Sequence, residues 1–141
     1  MILLDANLLL YAHNTDSPAH AAATDWLDAQ LSGTTRVGLP WPTLLAFLRI
    51  ASNPRVFARP VSVAGAWAQV ERWLSAPVAW IPLPSARHPE ALASMLAATP
   101  GADHVPDAHL AALAVEHGLE LCTCDRGFAR FPGLRWRDPL T

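Results

Sequence analysis

The chain has 141 residues, 52% of them apolar and only 16% charged, with a formal net charge of −2. That length suits one domain with a single hydrophobic core, and a charge near zero offers no global case for nucleic-acid binding. A charged share below the usual quarter or so leaves two readings open: apolar surface that meets a partner chain, or a count inflated by alanine. All ten basic residues are arginine.

In chain order, the opening "MILLDANLLLYA" reads as a short buried strand over residues 1–4, followed by a polar turn at Asp5. "DSPAHAAATDWLDAQLSG" predicts a helix capped by Ser17, with Pro18 first and Gly33 as the stop, and with an inward stripe of Ala23, Trp26, Leu27 and Leu31. "RVGLP" is a second short strand, and "PTLLAFLRIASNP" a helix begun by Pro42 and ended before Pro54. "SVAGAWAQVERWLSAP" is a helix capped at Ser62, with Val63, Trp67, Val70 and Leu74 in its stripe. "VAWIPL" is strand-like, and "HPEALASMLAA" is helical with Leu92, Met95 and Leu96 inward. "DAHLAALAVEHG" is a helix with Asp107 at its start and Gly118 at its end, leading into the strand "LELCTC". "LRW" is the last strand. Short strands alternating with helices predict an α/β domain spanning residues 1–141, with a mainly parallel central sheet flanked by helices.

No apolar run approaches the ~18 residues of a membrane span. The start lacks a basic region before its apolar residues, so no signal peptide is expected. Cys122 and Cys124 make neither a disulfide framework nor a zinc site with further ligands, which fits the cytoplasm.

An aspartate inside an apolar opening needs a partner, because burying an unpaired carboxylate costs several kcal/mol. Of the eight aspartates, Asp5 follows the first strand, Asp125 follows "LELCTC", and Asp107 begins the helix before that strand. In open parallel sheets, sites form beyond the carboxyl ends of strands, so these three can meet. Clustered carboxylates raise one another's pKa unless a cation neutralises them, and Mg²⁺ or Mn²⁺ suits oxygen ligands. Taken singly, Asp107 reads as a helix cap and Asp125 as a turn residue. Taken together, the three predict a shared metal. No histidine pair has metal-binding spacing, although His104 and His109 lie near Asp107.

"MILLDANLLLYA", "FLRIASNPRVF", "DAHLAALAVEHGLELCTCD" and "RGFARFPGLRW", in that order, resemble the PIN-domain ribonucleases, and more narrowly the VapC toxins of bacterial type II toxin–antitoxin pairs. The resemblance covers essentially the whole chain. It implies a compact α/β fold, an Mg²⁺- or Mn²⁺-dependent endoribonuclease acting on structured RNA such as transfer or ribosomal RNA, and a homodimer inhibited by a VapB-type antitoxin. By the same resemblance Asp5, Asp107 and Asp125 are the catalytic and metal-binding acids, and Asn7 is the small polar position after the first. The chain departs from the pattern twice, with Ala6 where Thr or Ser is usual and Ala46 where many members carry Glu. The second departure leaves open whether one metal or two is bound, with Asp103 as a possible replacement ligand. Arg126 and Arg130, near Asp125, are candidates to hold the RNA backbone. Two other readings remain: a binding module that no longer cuts, and a phosphatase with an aspartyl nucleophile, which wants Asp where Asn7 stands.

Overall fold

Ile2–Leu4 form β1, the central strand of a five-stranded sheet ordered β3-β2-β1-β4-β5, in the computed structural model, which describes residues 1–141. Its neighbours are β2 (Val37–Gly38) and β4 (Glu120–Cys122); β3 (Ala79–Trp80) and β5 (Trp136–Arg137) complete the sheet. Every pairing is parallel. The unbroken apolar opening follows from this position. Ile2 and Leu4 pack on one face of the sheet and Leu3 on the other, and both faces are covered.

The Ile2 face meets α1 (Ala6–His13), α2 (His20–Leu31), α3 (Trp41–Ala51) and α4 (Val63–Leu74), with Leu8, Leu27, Phe47 and Trp73 in its core. The Leu3 face meets α5 (His88–Ala97) and α6 (Val105–His117), with Met95, Leu113, Phe128 and Phe131. The chain builds β1, β2 and β3 outward on one side, then crosses to β4 and β5 on the other. The strand order therefore reverses between β1 and β4, which is where such sheets place their sites. No helix is long and apolar enough to cross a membrane.

Several local expectations are corrected. The residues after Asp5 are a helix rather than a turn: α1 begins at Ala6, and the Asp5 carboxylate accepts the Ala6 N–H at 2.7 Å. Ser17 does not cap α2. It accepts the Ala19 and His20 N–H groups in a turn that ends before the helix starts at His20. Val63, Trp67 and Leu96 are exposed, so the α4 core stripe is Ala66, Val70 and Trp73. Asp107 is the third residue of α6, after Val105 and Pro106, and its carboxylate caps no backbone N–H. Ser62 caps α4 through the Gly65 N–H at 3.0 Å, and Gly118 ends α6 with a left-handed φ of 68°, both as expected.

Candidate active site

At the β1–β4 junction the Asp5 N–H donates to the Cys122 carbonyl at 3.1 Å, and Leu4 is in register with Cys122. The next residues on the two strands, Asp5 and Thr123, therefore stand side by side. The Thr123 hydroxyl donates to Asp5 Oδ2 at 2.7 Å. It also accepts from Asn7 Nδ2 at 3.1 Å and from the Asp125 N–H at 3.0 Å. Asn7 donates a second, longer bond to Asp5 Oδ2 at 3.3 Å and accepts the Cys124 N–H through Oδ1 at 3.3 Å. Asn7 thus ties the first turn of α1 to the end of β4.

Asp5 and Asp107 line one pocket of about 120 Å³, together with Thr43, Ala46 and Pro106. Ala46 is therefore at the wall of the pocket that the two carboxylates line. Asp125 lies off this pocket on the exposed turn that follows β4, where its Oδ1 accepts the Gly127 N–H at 2.8 Å. Its charge still acts on Asp5. Burial raises the Asp5 pKa above its ordinary 3.8, hydrogen bonds from Thr123 and Ala6 oppose the rise, and the nearby charges of Asp107 and Asp125 add to it. No arginine or histidine pairs with Asp5.

The chemistry of this donor set suits a divalent cation. Mg²⁺ is commonly held by one or two carboxylates and keeps several waters, and Asp5 with Asp107 fits that pattern. No three His, Cys, Asp or Glu side chains close around one point, so a full protein cage is not built here. Asp103 is exposed in the 3-10 turn Ala102–His104 and is not part of the pocket wall. Burial above all pushes the Cys122 thiol up to about 11 and the Cys124 thiol up to about 12, which disfavours their thiolates.

The basic residues approach from the 3-10 turn Arg126–Arg130. The Arg130 guanidinium crosses Gly127 and reaches His104 Nδ1 at 3.4 Å, and the same His104 nitrogen is 3.3 Å from Asp107 Oδ2. A Cβ at position 127 would stand 2.9 Å from Arg130 Nη2 and 2.9 Å from Asp125 Oδ1, so glycine is what admits this arrangement. Arg126 is exposed on the same turn. Sequence reasoning missed Thr123, whose hydroxyl bonds Asp5, Asn7 and the Asp125 N–H together. Its only signal was a hydroxyl two residues before an aspartate.

Comparison with known proteins places the chain in a family. The PIN domain family model matches residues 2–134. Ribonuclease VapC37 of Mycobacterium tuberculosis (strain ATCC 25618 / H37Rv) is 49% identical over 140 residues, covering 99% of this chain and 97% of the relative. Ribonuclease VapC33 of the same strain is 42% identical over 141 residues, covering 99% of each chain. Among solved structures, VapBC-1 from nontypeable Haemophilus influenzae superposes with a TM-score of 0.70 at 18% identity, covering all of both chains. VapBC2 from Rickettsia felis, bound to a DNA fragment from their promoter, gives 0.68 at 16% identity, covering 97% of this chain and 98% of that one. These two speak to the fold. The chain belongs to the PIN-domain family, among the VapC ribonucleases.

Proposed function

We propose that this protein is a metal-dependent endoribonuclease acting as the toxin of a toxin–antitoxin pair, with Asp5 and Asp107 holding Mg²⁺ or Mn²⁺. The observation that carries the reading is the pair of carboxylates on one pocket, one of them half-buried with no cation of the protein beside it. When bound, the cation supplies Lewis-acid polarisation of the scissile phosphate and makes a water more acidic. Thr123 and Asn7 hold Asp5 in place, and Asp125 orients water at the edge of the pocket. Arg130, laid across Gly127, and Arg126 hold the RNA backbone and offset the negative field of the three acids. The substrate is a structured RNA of the transfer or ribosomal class, presented through an unpaired segment.

A VapB-type antitoxin is the inferred partner, supported by the VapBC assemblies that share this fold. A homodimer is the inferred form, supported by the exposed Val63 and Trp67, one turn apart on α4, and the low charged share. The cytoplasm, where antitoxin and RNA are available, is the expected location.

The test is cleavage of total RNA by purified protein, with Mn²⁺ or Mg²⁺ titrated against EDTA and Asp107→Asn alongside. Discrete fragments that require metal and vanish in the variant are expected. Mn²⁺ is also expected to raise the Tm of the unsubstituted protein and not of Asp107→Asn, because a ligand that binds only the folded state stabilises it. Ala46, a methyl at the pocket wall, favours one alternative: a PIN fold that binds partners without cutting. Folded protein that neither cleaves RNA nor gains stability from metal would select that alternative.

A further inference from the structure

Helix α3 presents two adjacent stripes beside the carboxylates. Pro42 and Ala46, one turn apart, line the pocket. Trp41, Leu45 and Arg49 lie next to them around the helix, and their four-residue spacing puts them on one line. All three are exposed, Trp41 by 39% and Leu45 by 57%. The core does not need them, since Leu44, Phe47 and Ala51 supply the buried face of the same helix. The stripe is pinned to the site at its start. The buried Thr43 hydroxyl donates to the Leu4 carbonyl at 2.8 Å, and Leu4 immediately precedes Asp5. Trp41 stands between Pro40 and Pro42, whose rings narrow backbone freedom on both sides of it. The helix contains no acidic residue, and Arg49 pairs with no carboxylate.

We infer that this stripe is a track for single-stranded RNA leading into the pocket, with Trp41 stacking on an unpaired base beside the scissile phosphate and Arg49 holding a backbone phosphate further along. The inference rests on the nuclease reading above and specifies how the substrate is presented to it. Every base has a π-face, so an exposed indole beside the pocket-lining Pro42 selects for unpaired nucleotides without selecting their sequence. Arg49 lies eight residues along the helix from Trp41, about 12 Å at the usual rise, and its guanidinium matches phosphate geometry. A run of aromatic, apolar and unpaired cationic side chains with no acid suits a polyanion with stackable bases better than it suits a protein surface.

The test measures binding of a fluorescein-labelled single-stranded oligouridine, and of a duplex of the same length, to the Asp5→Asn protein. Cleavage kinetics are run in parallel on the uncompromised site. Trp41→Ala is expected to weaken single-strand binding about 5- to 100-fold. Trp41→Phe is expected to keep most of the affinity, and duplex binding to change little. In the cleavage assay Trp41→Ala raises KM far more than it lowers kcat, and Arg49→Ala reduces the salt slope of binding by about one. Unchanged single-strand affinity in a folded Trp41→Ala protein overturns the inference. So does a change in sedimentation with RNA affinity intact, which makes the stripe a contact between copies of the chain. If unsubstituted protein neither binds nor cuts RNA, the nuclease reading fails and this inference with it. If it cuts and Trp41→Ala has the same KM, only the stripe fails.

Discussion

Thr123 is fully buried, yet its one hydroxyl serves three polar groups from two segments of chain. Its proton goes to Asp5 Oδ2, so it stabilises the ionised carboxylate against the burial that raises its pKa. Thr123→Val keeps the shape and removes that proton donor. It leaves the Asp125 N–H without an acceptor and should cost about 1–3 kcal/mol of stability. It should also move the acid limb of the cleavage profile to higher pH, because Asp5 then ionises less readily; Thr123→Ser should restore both. A pH–rate series with urea melts decides this, and an unmoved acid limb would detach Thr123 from the chemistry. The sequence singled out the acids because a charge among apolar residues is conspicuous. A threonine in a strand is not, since β-branched residues favour strands on packing grounds alone.

Among the elements, α5 and α6 are joined by polar contacts as well as apolar packing. Glu116, with no side-chain exposure, accepts from His88 Nδ1 at 2.8 Å and from the Ser85 N–H at 2.9 Å, and His88 Nε2 faces His109 Nδ1 at 3.0 Å. Burial, with His88 beside it, lowers the His109 pKa below its ordinary 6.5, and burial lowers that of His13 in the opposite layer. Each lowered value means that the unfolded chain takes up the proton first. The stability they contribute is present above about pH 6.5 and is lost as pH falls through the folded values. Thermal melts at stepped pH should show that loss, and His109→Gln should lose less than the unsubstituted protein; equal losses would remove His109 as a cause. Element boundaries were legible where local chemistry decides them, as at Ser62 and Gly118. They were misread where tertiary contact decides. Asp5 looked like a turn residue because the other bonds that hold it, its N–H to the Cys122 carbonyl and its carboxylate to the Thr123 hydroxyl, come from the far end of the chain.

At the scale of the molecule, sheet order explains both why the fold was readable and why the site costs stability. Alternating strands and helices announced a parallel sheet, and covered faces explain the continuous apolar strands, but the order of those strands is set by packing that no local pattern encodes. That order brings Asp5 onto one pocket with Asp107 and within range of the Asp125 charge. Because folding raises the Asp5 pKa, the folded state holds that proton more tightly than the unfolded chain. Stability therefore declines as pH rises from about 3.8 through the folded value, and above it ionised Asp5 is a constant penalty in the absence of metal. Asp5→Asn removes the charge while keeping a residue type that also suits the helix start. In EDTA at pH 7 it should melt higher than the unsubstituted protein, with the advantage shrinking toward pH 4; a lower Tm at pH 7 would mean that the carboxylate is a net support. Such a trade of stability for activity is common at functional sites. The β1–β4 pairing has a consequence in time as well. Asp5 leaves the ribosome early and waits 118 residues for Thr123. Until then the nascent chain carries its first acid without the hydroxyl that holds it, so the surroundings of Asp5 are completed only once β4 has been made.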